Sequence, residues 1–217
     1  MLGWINYILL TATIAFIVWL QISFAMGKKK SGSKKIEDIL NEESAANFAR
    51  RRPLPDDFYF VPDISDLSVK KYADDDKSKV AAKQARVLKL ANSKMIRLPK
   101  PMTNKEIKME YGAANLETVT NGEEVYQMFL EALQGWATAL SDIGDEGNAK
   151  KVLEKAIDFG CDSSRCFIAL AELYSKDRNK KAMDKLIMRL ESDEFISLND
   201  AIKNKTIAEI KKMYDNI

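Results

Sequence analysis

The chain has 217 residues, with 34 basic against 32 acidic side chains, a formal net charge of +2 and no histidine. Without histidine there is no imidazole for a nucleophilic triad, a general base or a metal ligand, and the near-balance of charge makes no electrostatic case for nucleic acid. Nine glycines and five prolines, among many Leu, Ala, Glu and Lys, favour a helical protein over a sandwich or barrel.

Leu2 to Met26 is uncharged and strongly apolar. As a helix it reaches roughly 37 Å, enough for a hydrocarbon core of about 30 Å. Trp4 and Tyr7 near one end and Trp19 near the other sit where interfacial aromatics do. Ser23-Phe24-Ala25 has the small-x-small look of a signal-peptide cleavage site, but no basic residue precedes the run and it is too long for an ordinary h-region. The reading is an uncleaved transmembrane anchor over residues 1–26. Lys28, Lys29, Lys30, Lys34 and Lys35 follow at once. Positive charge beside a span marks the cytoplasmic side, so the N-terminus is expected outside and everything after Gly27 in the cytoplasm. The same lysines can contact anionic headgroups at about 1 kcal/mol each; setting topology explains them equally well.

Residues 27–75 read as a linker. A short helix over Ile36 to Phe48 carries Ile36, Ile39, Leu40 and Phe48, and Arg50-Arg51-Arg52 beside Asp56-Asp57 fits a solvated stretch. Pro53 and Pro55, then Phe58-Tyr59-Phe60-Val61-Pro62, Ile64 and Leu67 bar helix and favour extended geometry. Burying a large apolar side chain is worth about 1.5–3 kcal/mol. Residues 56–68, led by Phe58, Tyr59 and Phe60, are therefore expected to dock on a surface, either their own helical domain or a partner. Self-docking, even in the domain's own groove, is the preferred reading.

Residues 76–217 read as helical. Asp74-Asp75-Asp76 would complement a helix start. The helix runs over about 77–94, with Val80, Ala81, Val87, Leu88 and Ala91 on one stripe and Lys79, Lys83, Arg86 and Lys89 facing water. Pro99-Lys100-Pro101 ends it. Thr103-x-x-Glu106 is a capping-box pattern heading a helix to Tyr111, and Asn121-Gly122 reads as a turn. Four amphipathic helices then follow from Glu123 to Glu191. Their breaks carry Gly144 and Gly160, suited to left-handed helix ends, and Asp145 and Ser163, suited to caps. Such short connections enforce antiparallel neighbours. Thr206-x-x-Glu209 is a second capping-box pattern, ahead of a closing helix with Ile207, Ile210 and Tyr214.

The helix pairs repeat. Leu133, Trp136, Ala137 and Leu140 fall opposite Phe167, Leu170, Ala171 and Tyr174 at an offset of 34; Ala149, Leu153 and Ala156 fall opposite Ala182, Leu186 and Arg189 at 33. A helix–turn–helix unit of about 34 residues, with small residues where helices approach, resembles the tetratricopeptide repeat, clearest over 130–163 and 164–191. Cys161 stands where that family's pattern has proline, and Arg189 replaces its last small residue. A plain helical bundle is the alternative. With the anchor and linker read above, the expected fold is all-α: a transmembrane helix, a partly extended linker and a C-terminal antiparallel helical-hairpin domain, the last implied by the resemblance. The resemblance also implies a groove lined by the first helix of each pair, with Gln127, Glu131 and Gln134 from one and Ser164, Ile168 and Glu172 from the next, taking a peptide or helix of another protein.

No catalytic motif stands out. Gly144-Asp145-Glu146-Gly147 lacks the strand–loop–helix setting of a phosphate loop, and Asp142, Asp145 and Glu146 read as solvated caps. Cys161 and Cys166 have no further Cys pair or His to complete a metal site; a disulfide between them is sterically conceivable, but two small buried thiols are commoner. Neither catalysis, cofactor nor metal is expected. The expected function is a membrane-anchored, cytoplasm-facing adaptor that binds another protein and touches the bilayer through residues 2–26, with a second copy of the chain also admissible as partner. The alternatives are a structural subunit of an envelope, secretion or division assembly, or a chaperone-like factor at the translocon if the domain faces outside.

Overall fold

The computed structural model describes residues 13, 16–22, 36–70, 78–192 and 199–215. Residues 16–22 are helical, exposed at all positions but the half-buried Leu20. The rest of the apolar run at 2–26, the lysines Lys28, Lys29, Lys30, Lys34 and Lys35, and Asp74-Asp75-Asp76 lie outside the described residues. Among the described residues no helix is long and apolar enough to cross a membrane.

Residues 36–47 form α1. Extended chain and a 3-10 turn at Asp56–Phe58 lead to β1 (Tyr59–Phe60). Beyond it come α2 (Ser78–Ala91), β2 (Met95–Ile96), α3 (Asn104–Tyr111), a 3-10 turn at Ala113–Asn115 and the long α4 (Leu116–Asp142). Then α5 (Glu146–Asp158), α6 (Ser164–Lys176), α7 (Lys180–Glu191) and α8 (Asp200–Asp215) complete an essentially all-α fold. The two strands pair antiparallel, Tyr59 with Ile96 and Phe60 with Met95.

Helix α4 is the axis of the packing. It lies against α2 on one side and α5 on the other, while α5, α6 and α7 follow one another as neighbours and α8 covers α6 and α7. The core follows the helical spacing of the sequence. Phe129, Leu133, Trp136 and Leu140 of α4 meet Val152, Leu153, Ala156 and Ile157 of α5, and the cluster continues through Phe167, Leu170, Leu186 and Leu190 to Ile207 and Ile210. Arg189, the one charged side chain in the repeated positions, is half-buried; it pairs with Asp158 and donates to the Ile157 carbonyl at 3.2 Å.

The turns obey backbone sterics. Gly144 (φ 77°), Gly160 (φ 97°) and Arg178 (φ 53°) take the left-handed conformation that closes a helix. Thr103 and Glu106 form the capping box in full at the start of α3. Asp145 and Ser163 stand at N-cap positions, but neither side chain caps its helix. The Asp145 carboxylate is taken up by Asn148 Nδ2 at 2.8 Å and Lys70 Nζ at 2.7 Å. The cap of α7 is instead Asn179, whose Oδ1 accepts from the Ala182 amide at 3.1 Å.

Two boundaries differ from the sequence reading. Thr206 does not head a helix: it is buried inside α8, its hydroxyl donating to the Ile202 carbonyl at 2.9 Å. Asn121-Gly122 is not a turn either, because α4 passes straight through it. Gly122 is there for close approach: a Cβ at that position would lie 2.6 Å from Ile96 Cδ1 and 3.0 Å from Ile96 Cβ. The glycine lets β2 lie flat on the helix.

Gly122→Ala should therefore destabilise the protein despite the helix propensity it gains, which is about 1 kcal/mol. Overpacking of about 1–3 kcal/mol outweighs it, and Ile96→Val in the same chain should restore part of the loss. Urea unfolding with an unchanged or raised midpoint for the single variant would contradict this packing.

Candidate functional site

Gln127, Glu131 and Gln134 sit at i, i+4 and i+7 on the face of α4 left open by its neighbours. Helix α2 runs antiparallel beside them: Lys79 Nζ is 3.4 Å from Asp142 Oδ2 near the end of α4, and the Lys83 side chain crosses Gly135. The space between the two helices is a cleft of about 600 Å³, closed at one end by the α5–α6 turn. Its walls include Lys79, Lys83, Gln127, Glu131, Gln134, Thr138, Asp162, Ser163 and Arg165. A second cleft of about 400 Å³, with Arg97, Lys100, Glu123 and Tyr126, shares Gln127 and Asp162 with the first. The two lie next to each other along α4 and together make the groove. Five cationic side chains (Lys79, Lys83, Arg97, Lys100 and Arg165) border it against three carboxylates (Glu123, Glu131 and Asp162).

The six residues expected to face a partner are thus split. Gln127, Glu131 and Gln134 converge on the groove, whereas Ser164, Ile168 and Glu172 do not line it. The reason is the packing order: α5 stands between α4 and α6, so only the turn preceding α6 and Arg165 in its first turn reach the cleft. The second wall is α2, whose Lys79 and Lys83 the amphipathic pattern assigned to bulk water. Their i, i+4 spacing was visible; the neighbour they face was not.

The aromatic segment lies against the domain's own helices. Phe60 meets Tyr126 edge-on at 5.3 Å between ring centroids and Phe159 at 5.5 Å. Phe58 tilts onto Tyr111 at 5.0 Å, and Lys94 Nζ sits 5.4 Å above the Tyr59 ring. Pro62 and Leu67 are buried. Gln84, only 7% exposed, accepts from the Lys70 amide at 3.1 Å and donates to the Lys70 carbonyl at 2.9 Å. Asp66 pairs with Lys155 at 3.0 Å. Upstream, the Arg52 amide donates to the Tyr111 carbonyl, and Asn115 Nδ2 donates to the Arg52 carbonyl. Residues 49–70, assigned to the linker by composition, thus form a strap over α2–α5, and none of them lines the groove.

The turn that closes the groove is itself held from α4. The Tyr126 hydroxyl donates to the Phe159 carbonyl, and burial raises its pKa. Glu123, in the second cleft, has its carboxyl pKa raised by burial alone. Asp142, Asp145 and Glu146 are each taken up in an ion pair, with Lys79, Lys70 and Lys176. Burial pushes the Asp145 carboxyl up, but the bonds from Lys70 and Asn148 outweigh it and leave it below its ordinary range. Among the described residues no cluster of three or more His, Cys, Asp or Glu is placed to hold a metal ion. No protein-family model, curated protein or solved structure matches this chain.

Since the folded state raises the Glu123 pKa, it disfavours the charged form, and stability declines as pH rises from the unfolded carboxyl pKa, about 4.3, through the folded value. Glu123→Gln should raise the melting midpoint at neutral pH, with the gain fading below about pH 4. Thermal melts showing the same gain at both pH values would contradict this origin.

Proposed function

We propose that this protein is a membrane-anchored, cytoplasm-facing adaptor whose helical-hairpin domain, built like tetratricopeptide repeats, holds an extended segment of another protein in the groove along α4. The observation that carries the reading is the convergence of Gln127, Glu131 and Gln134 with Lys79, Lys83 and Arg165 around one open cleft. Side-chain amides offer a donor and an acceptor at once, which matches the alternating N–H and C=O groups of an extended backbone. The cations add charge-assisted bonds to carboxylates on the guest. The uncharged run at 2–26 and the lysines after it support the anchor and its orientation. Tethering at a bilayer raises the local concentration of the domain there, while the groove supplies selectivity.

A second reading, a structural subunit of an envelope assembly, draws support from α1. It pairs Glu42 with Lys105 at 2.5 Å, yet leaves Ile36, Ile39, Leu40 and Phe48 exposed, Phe48 at 87%. Such a row of large apolar side chains fits a contact with another subunit.

Crosslinking and capture of the full-length protein from its own membranes separates these. Lys83→Glu combined with Gln134→Ala should cut recovery of a discrete partner about tenfold, roughly 1.4 kcal/mol, while Phe48→Ser leaves it intact. Partner loss with Phe48→Ser alone would favour the assembly subunit, and recovery unaffected by the groove variant would overturn the adaptor.

A further inference from the structure

The only two cysteines in the chain meet at the turn that closes the groove. Cys161 follows Gly160 at the end of α5, Cys166 lies in the first turn of α6, and both thiols are free and buried. Their Sγ atoms are 2.9 Å apart, so a rearrangement of about 0.9 Å brings them to the disulfide length of about 2.05 Å. The backbone around them is well anchored. The Cys161 amide donates to the Ala156 carbonyl and the Cys166 amide to the Ser163 carbonyl, both at 2.9 Å. The two residues differ in access. Cys161, 4% exposed, is in the lining of the groove, whereas Cys166 is 0% exposed.

We propose that Cys161 and Cys166 form a thiol–disulfide exchange site that takes low-molecular-weight disulfides, with Cys161 as the attacking sulfur and Cys166 as the resolving one. The Cys161 thiolate attacks one sulfur of the small disulfide, forming a mixed disulfide and expelling one small thiolate. Cys166 then loses its proton and attacks Cys161 Sγ, forming the Cys161–Cys166 bond and expelling the second thiolate. Two protein thiols are oxidised, one small disulfide is reduced to two thiols, and the two protons end on them.

The difference in access sets this order, and the contact between the sulfurs goes with it. The hydrogen bond between the two sulfurs favours a thiolate on Cys161 over one on Cys166, whose thiol burial also pushes up. The thiolate is the nucleophile, so Cys161 reacts first. Once Cys161 is in the mixed disulfide its charge is gone, and nothing further holds the proton on Cys166 through that bond. Proximity then makes the second step intramolecular and fast. The site stands whatever the groove binds.

The test uses the full-length protein in detergent, incubated folded with glutathione disulfide, then unfolded, alkylated and weighed intact. The expected product is lighter than the reduced protein by two hydrogen atoms, takes up no alkylating agent, and returns to the reduced mass with dithiothreitol. Cys166→Ser should stop at one glutathione on Cys161, and Cys161→Ser should acquire glutathione at least about tenfold more slowly, because the remaining thiol is the fully buried one. Wild-type protein that stays doubly alkylatable, carries two glutathiones or links into dimers would overturn the site, whether or not either variant folds. Equal adduct rates in the two variants would overturn the assigned order.

Discussion

The architecture depends on the insertion of Phe60 between Tyr126 of α4 and Phe159 at the end of α5. Edge-on aromatic pairs contribute about 0.5–1.5 kcal/mol each beyond the area they bury, and this ring makes two such pairs at once. It also belongs to β1, where it pairs with Met95, while its neighbour Tyr59 pairs with Ile96, the residue that lies against Gly122. The exposed ion pairs along the strap are worth little individually. Aromatic packing, the buried Pro62 and Leu67, and the double hydrogen bond of Gln84 hold it down.

This seam also shapes the groove, although none of the strap lies in it. Phe159 packs on Phe129 and Phe60, and its carbonyl receives the Tyr126 hydroxyl. The chain leaving Phe159 therefore starts the α5–α6 turn from a fixed point, and that turn carries Cys161, Asp162, Ser163 and Arg165 to the end wall of the cleft. The cation set on α2 is fixed from the strap as well, since Gln84, one residue beyond Lys83, is the side chain that grips the Lys70 backbone. Strap, turn and groove wall thus form one mechanical unit around α4.

Much of this was legible in the sequence where one physical rule acted alone. Helical spacing of apolar residues marked α4 to α7, and the glycines at 144 and 160 marked two of their ends. The costly aromatics at 58–60 pointed to docking. Where two rules competed, the sequence misled. Gly122 looks like a turn signal because a glycine that serves close packing and one that serves a positive φ are the same letter; the partner, Ile96, lies 26 positions earlier. Thr206 looks like a cap for a similar reason, since a threonine also bonds back to the carbonyl four residues before it. The groove was half legible. Surface residues of α4 could be read from its own period, but α2 as the opposite wall is a long-range fact that no local pattern carries.

The strap is part of the helical domain, not a tether that happens to touch it. Amide hydrogen exchange on Phe60→Ala, in the full-length protein, tests this most directly. Faster exchange is expected through residues 56–70, β2 and the α5–α6 turn together, with α7 and α8 unchanged. Faster exchange confined to the few residues around position 60, with the turn protected as in the parent protein, would contradict it.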